Sequence, residues 1–357
     1  MSAPAPAGSA SSASADAAPL LTELQLSEFR ATGLLVVEDI LTAAEVSTAR
    51  AAFHAHLATL GIDHDAILAG AATMSEGARI KSPVSRIFYP DWKLLAVHMH
   101  PRVTQAAREL LLNTYGSGAD PDFPHPFGPF TSIRTYVDRI CYRMPDAIRE
   151  EGGLGLHLDR DPVDPYLLHA KTSASGSGGK VGHGSGSASP VSSALSKWRP
   201  IQAFVCLTDH FGGDSGGLRV VSGFHKRIDS YFAKKVSEGG GEFFRMNHPT
   251  YDSLQKACQP VVAPAGSMVF WDNRLPHATA SKLAGHDTRE VVYTGFLPDV
   301  PLNRSYVSRQ LAALRANKPP PAYEEHNETK GDRNWEETQL TAEQKEMLGC
   351  NDQGEKH

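Results

Sequence analysis

Between positions 133 and 297 the chain reads as a succession of short segments rich in β-branched and aromatic residues, separated by glycine-containing turns. The segments fall at 133–143, 155–158, 201–207, 217–221, 260–263, 267–271, 277–280 and 290–297. Runs of this length, bounded by turn residues, predict strands. No helical pattern alternates with them, so a parallel α/β sheet is disfavoured and a sandwich or jelly roll is favoured. The 31 Gly and 24 Pro suit a body made of many turns and short strands.

Helices flank this body. Leu21, Leu24, Leu26 and Phe29 recur at helical spacing behind Thr22, a good N-cap, and Gly33 can end the helix with a left-handed residue. Residues 34–37 then read as a short buried strand, and Thr42 is placed to cap a second helix over 43–60. The block 93–113 is helical in pattern, and a docking helix is expected over 340–348 within a polar C-terminal extension, 316–357. Residues 1–19 are almost all Ala, Ser, Pro and Gly and predict a disordered tail; residues 171–189, mostly Gly and Ser, predict an inserted loop within one domain spanning 20–315. That loop is a passive decoration or a lid.

Bulk properties exclude several classes of function. A net charge of -5 offers no general attraction to a phosphate backbone, so nucleic acid is not an expected partner. Four dispersed cysteines, Cys141, Cys206, Cys258 and Cys350, form neither a zinc motif nor a disulfide framework, which points to a reducing compartment. No apolar run is long enough to span a membrane and nothing resembles a signal peptide, so the expectation is a cytoplasmic protein acting on a small molecule, of unassigned oligomeric state.

The sharpest chemical signal is His157-Leu158-Asp159, followed far downstream by Pro276-His277. On a strand, residues two apart project from one face, so an imidazole and a carboxylate can share a metal that a second imidazole completes. Three protein ligands on one face leave positions open for a chelating cosubstrate and O2, which suits Fe(II). With 16 histidines, a chance His-x-acid is expected, and His326-Asn327-Glu328 in a charged stretch reads as such a decoy. His98-Met99-His100 offers a cupin-like pair but lies in helical sequence. Arg289 follows His277 by twelve positions at the head of a strand, where a buried guanidinium would need an anionic partner such as the far carboxylate of 2-oxoglutarate. The alternative for Arg289 is an ordinary ion pair with Asp287 or Glu290.

From about Leu21 to Leu302 the chain resembles the phytanoyl-CoA dioxygenase family. The likeness rests on the opening helix and strand, on His157 and Asp159, on residues 214–225 with Ser222 and Phe224 departing from the usual Pro and Ser, and on residues 266–277 with Arg289. The resemblance implies a double-stranded β-helix (jelly roll), mainly β with flanking helices. It implies that His157, Asp159 and His277 hold Fe(II), that Arg289 binds 2-oxoglutarate with help from Thr279, and that Gln202, Tyr142 and Trp198 line the cosubstrate pocket. His225 is expected to be structural, since the triad is already complete.

The implied chemistry couples oxidative decarboxylation of 2-oxoglutarate to hydroxylation of an aliphatic C–H bond, with ascorbate at most a supporting reductant. Asp159 argues against halogenation, because a carboxylate occupies the position that halide needs. Arg160, Asn273 and Arg274 are polar groups expected near the barrel mouth, toward a small polar substrate or an acyl conjugate. Two other readings stay open: a cupin-like metalloenzyme that does not use 2-oxoglutarate, and a jelly-roll binding module without catalysis.

Overall fold

The computed structural model describes residues 18–69, 86–148, 152–160, 162, 197–233, 244–326 and 331–351. The tail expected over 1–19, apart from its last two positions, and the loop expected over 171–189 lie outside the described residues.

Helix α1 (Glu23–Thr32) begins where Thr22 accepts from the Gln25 amide while the Gln25 side chain accepts from the Thr22 amide, a reciprocal cap. It stops at Gly33, whose φ of 72° carries a steric penalty for any residue with a Cβ; a Cβ there would also meet the His225 ring at 2.7 Å. Strand β1 (Leu34–Val37) follows, and Thr42 with Glu45 caps α2 (Ala43–Thr59) in the same way. After α3 (His64–Leu68), the helix expected over 93–113 is broken in two. A short turn at Asp91–Lys93 runs into a π-turn at Leu94–His98, and α4 (Pro101–Thr114) starts afresh because Pro101 has no amide hydrogen to continue the previous ladder.

The remaining strands are β2 (Ile133–Arg143), β3 (His157–Leu158), β4 (Ile201–Cys206), β5 (Leu218–Val220), β6 (Phe244–Arg245), β7 (Gln259–Pro260), β8 (Met268–Asp272), β9 (His277–Thr279) and β10 (Arg289–Pro298). Helices α5 (Ile228–Phe232) and α6 (Asp252–Ala257) bracket β6, while α7 (Pro301–Arg315) and α8 (Ala342–Met347) follow β10. The strands form two five-stranded sheets in the orders β1-β8-β4-β10-β2 and β6-β3-β9-β5-β7, and every pairing is antiparallel.

Alternation along the strands of the first sheet sorts its side chains. Ile140, Tyr142, Ala203, Val205, Phe270 and Val292 join Phe53, Leu57, Leu110 and Leu111 of the helices in one apolar cluster. Phe204, Cys206, Val269, Trp271 and Val291 share a second cluster with Leu158, Leu218, Val220 and Ala278 of the other sheet. Each large side chain so buried contributes about 1.5–3 kcal/mol, which fixes the strand register, because a one-residue slip would turn both faces over.

The pairing of β2 with β10 is irregular at one point. Val292 pairs with Ile140 but Thr294 pairs with Val137, so Asp138 and Arg139 together oppose Tyr293 in a β-bulge. Val137 and Ile140 both lie in the helix-side cluster although three residues apart, which turns the two bulged residues away from the helices. The C-terminal extension is tied to the body: the Asp332 carboxylate accepts the Phe88 and Tyr89 amides, and the Trp335 indole donates to the Tyr89 carbonyl at 2.6 Å.

Candidate metal centre

Strands β3 and β9 are neighbours, and His157 sits directly across from His277 in their register. Directly paired residues on antiparallel strands point the same way, so the two rings meet, with centroids 4.2 Å apart. The carboxylate of Asp159, just past β3, lies 3.3 Å from Nε2 of His157 and 3.8 Å from Nε2 of His277. All three ligating atoms fall within 4.8 Å of one another.

The rings are held for this purpose. Nδ1 of His157 donates to the Gly155 carbonyl at 2.8 Å, and Nδ1 of His277 donates to the Leu275 carbonyl at 3.0 Å. A backbone acceptor at Nδ1 puts the proton there and leaves the Nε2 lone pair facing the cluster, the arrangement that orients metal-bound histidines. Burial pushes His277 down to about 4, with the Asp159 charge only partly opposing it. For Asp159, burial would raise the carboxyl, but the adjacent His157 Nε2 and the positive charge of Arg199 hold it well below the usual carboxylate range. At neutral pH the group is thus an ionised carboxylate beside an unprotonated His277 imidazole, the state that binds a cation. Asp159 keeps 26% of its side chain exposed, which leaves the cluster open on that side.

Arg289 lies on the inter-sheet side of β10, 3% exposed, with its guanidinium over the Phe204 ring and Nη1 donating to the Cys141 thiol at 2.9 Å. It has no carboxylate within 4.0 Å among the described residues, and Nε has no acceptor. The two acids that could have neutralised it, Asp287 and Glu290, are taken by Arg50 at 3.0 Å each. Phe204, under the guanidinium, meets Trp271 at 60°, and Trp271 is centred 5.6 Å from the His277 ring.

Other expected site residues are placed differently. Tyr142 follows Cys141 on β2 and therefore faces the helices, where its hydroxyl meets Nδ1 of His64 at 2.7 Å; strand alternation puts it on the face opposite Arg289. Trp198 stacks on His125 and Phe127 as core. Together with Arg160, Asn273 and Arg274 it lines a cavity of only about 10 Å³, room for a single water and not for a substrate. Arg274 grips Asp272 through Nε and Nη2 at 2.9 and 2.8 Å, and Tyr115 donates to the same carboxylate at 2.5 Å. Asn273 donates to the Arg199 carbonyl and accepts from Gln202, while Arg160 donates to that same carbonyl. Gln202 remains on the inter-sheet face beside Trp271, its register partner. Thr279 borders a surface groove with Gly153, Leu154 and Arg219. His98 donates its Nε2–H to the Gly295 carbonyl and His100 caps α4, so that pair does not converge. His225 meets the Arg30 carbonyl and stacks on Phe123, a structural role as expected.

Sequence reasoning missed Cys141 and Tyr293, although counting back two from Arg143 and forward four from Arg289 puts both on the inter-sheet face. It also missed a second cluster, His54, His64 and Glu290, whose candidate ligand atoms lie within 4.8 Å. There the rings stack at 3.7 Å and 22°, which sends their lone pairs side by side instead of toward one point. Both Glu290 oxygens are already used by Arg50, His54 and Thr288. The cluster is a charge network bracing α2 and α3 on β10.

The Gig2-like family profile matches residues 220–351, which include His277 and Arg289 but neither His157 nor Asp159. No curated protein sequence matches the chain. Among solved structures, a Salmonella typhimurium LT2 protein provisionally described as an oxidoreductase superposes with TM-score 0.65 and 16% identity over 92% of this chain and 83% of its own. GlcNAc Inducible Gene 2 from Candida albicans superposes with TM-score 0.58 and 15% identity over 93% and 81%. HygX from Streptomyces hygroscopicus, crystallised with nickel and 2-oxoglutarate, reaches TM-score 0.42 with 18% identity over 78% and 88%, too remote to carry weight. The family profile that matches is therefore Gig2-like, where the sequence had suggested phytanoyl-CoA dioxygenase, and the first two structures share this chain's fold.

Proposed function

We propose that this chain is a non-haem Fe(II)- and 2-oxoglutarate-dependent dioxygenase that hydroxylates an aliphatic C–H bond of a small polar substrate or acyl conjugate. The observation that carries this reading is the convergence of two oriented imidazoles and one ionised carboxylate in the same inter-sheet cleft as an uncompensated buried guanidinium. In this reading the two sheets form a double-stranded β-helix over residues 20–315, with 316–357 as an extension, and the kinship with phytanoyl-CoA dioxygenases is one of chemistry.

The donor set suits the metal. His157, Asp159 and His277 would hold Fe(II) on one face and leave the opposite face open. Bound there with 2-oxoglutarate and O2, iron supplies the oxidising equivalent for C–H hydroxylation. The protein's own part is positional. The Gly155 and Leu275 carbonyls keep both rings aimed, Arg289 would take the distal carboxylate of 2-oxoglutarate, and Phe204 with Trp271 keeps water from the space between.

The test is release of succinate from 2-oxoglutarate by anaerobically Fe(II)-loaded protein on admission of air. Turnover that needs Fe(II) supports the reading. Metal binding without succinate release would favour a cupin-like enzyme, and neither would favour a binding module.

A further inference from the structure

The bulge on β2 gives the cleft a second cationic feature. Asp138 and Arg139 sit together opposite Tyr293, and the phase change between Val137 and Ile140 takes both out of the alternation that packs β2 on the helices. The Asp138 carboxylate accepts from Arg199 Nη1 at 2.9 Å and from the Tyr323 hydroxyl. Arg139 is exposed although its strand neighbours Asp138 and Ile140 are buried. Among the described residues its guanidinium has no hydrogen bond and no carboxylate within 4.0 Å, and its contact is the Tyr323 ring at 5.1 Å. One carboxylate thus stands between two guanidiniums, Arg139 and Arg199, leaving one positive charge in excess.

That excess charge faces the site. Tyr293, which Arg139 opposes across the bulge, shares the inter-sheet face of β10 with Arg289. Tyr293 and Cys141, which lie between the two arginines, are only half-buried. A buried guanidinium such as Arg199 is held by its partners, whereas Arg139, exposed and without a carboxylate partner among the described residues, is placed to take an incoming anion. Bulges recur beside binding sites because they re-aim a side chain in this way.

We propose that Arg139 is the substrate-recognition residue of this cleft and that the substrate carries a carboxylate which it binds, distinct from the cosubstrate carboxylate at Arg289. The assignment rests on the dioxygenase reading for the words substrate and cosubstrate, but the anion site itself does not.

Calorimetric titration of the full-length, Ni(II)-loaded protein saturated with 2-oxoglutarate, using benzoate and its neutral isostere benzamide, tests it. One charge-assisted hydrogen bond is worth about tenfold to a hundredfold in affinity, so benzoate should bind tighter than benzamide by about that factor. R139Q should bring the two probes level, and R139K, which keeps the charge, should retain a preference. Because the Arg139 side chain is exposed and its guanidinium makes no hydrogen bond among the described residues, both variants should fold, as circular dichroism would verify. Equal binding of the probes to the wild type, no saturable benzoate binding, a preference surviving in R139Q, or a preference lost from R139K overturns the proposal. So does R139Q losing more affinity for 2-oxoglutarate than for benzoate. If the wild type does not bind 2-oxoglutarate, the dioxygenase reading fails, and the same titration without it still decides: preference lost in R139Q supports the site, preference lost in R289Q instead overturns it.

Discussion

Replacing Arg289 with Gln separates a ligand-binding arginine from a structural one. In the structure this guanidinium is almost fully buried, its Nε has no acceptor and no carboxylate lies within 4.0 Å among the described residues, so the protein alone leaves its charge uncompensated. A carboxylate from 2-oxoglutarate would supply two charge-assisted hydrogen bonds, each worth about 1.5–3 kcal/mol. Losing both raises the dissociation constant for 2-oxoglutarate by about 10²- to 10⁴-fold. The effect on stability has the opposite sign from the usual core substitution. Gln removes a buried, unpaired charge, so the ligand-free variant should melt no lower than the wild type. With 2-oxoglutarate at about a hundred times its dissociation constant, the wild type should gain about 2.7 kcal/mol and the variant nothing. Calorimetry and thermal melts with and without 2-oxoglutarate give both quantities. A change in affinity under about threefold, or a collapse of the ligand-free variant, would show that Arg289 serves the fold instead.

Other expected outcomes come from the same geometry. Asp272→Asn leaves the buried Arg274 guanidinium without its carboxylate and should cost about 3–5 kcal/mol in urea unfolding; a loss under about 1 kcal/mol would free Arg274 for a role at a ligand. Tyr142→Phe removes the partner of His64 Nδ1 and should cost about 1–3 kcal/mol while leaving 2-oxoglutarate affinity within about twofold, as melts and calorimetry check. Stability should fall on acidification. Burial pushes His98 and His210 down to about 3, so the unfolded chain takes up protons that the folded chain refuses as pH drops below about 6.5, and each histidine adds up to about 1.4 kcal/mol per pH unit of loss. Glu290 works in the same direction: burial alone would raise its carboxyl, but His54, Arg50 and Thr288 hold it down at about 2, so its contribution is present above about pH 4.5 and lost as pH falls toward 2. Urea midpoints that stay flat between pH 7 and 4 would contradict the histidine assignment, and midpoints that stay flat from about pH 4.5 toward 2 would contradict that of Glu290.

Much of the architecture was legible because local chemistry and tertiary packing agree there. The Thr22 and Thr42 caps, the Gly33 stop and the β2 bounds come from side chains acting on their own neighbourhood. The convergence of His157, Asp159 and His277 was legible because i and i+2 on a strand leave little freedom, and His277 lies directly opposite His157 in register. What could not be read lies where register decides. Tyr142 seemed a pocket residue until the pairing of β2 with β10 gave Cys141 that face, and Arg274 seemed a rim group until Asp272, two residues before it, closed on it. Strand β6, two residues long at a sheet edge, has no pattern of its own. The bulge at Asp138 and Arg139 was invisible for a related reason: a bulge is a relation between two strands, and neither strand alone announces it.

The most direct measurement is an anaerobic Fe(II) titration of the wild type and of His157→Ala, each followed by succinate release when air and 2-oxoglutarate are added. One tightly held iron per wild-type chain with succinate formed, and neither in the folded variant, is the expected result. Equal iron binding and equal succinate in both would mean that residues 157, 159 and 277 do not make the metal centre.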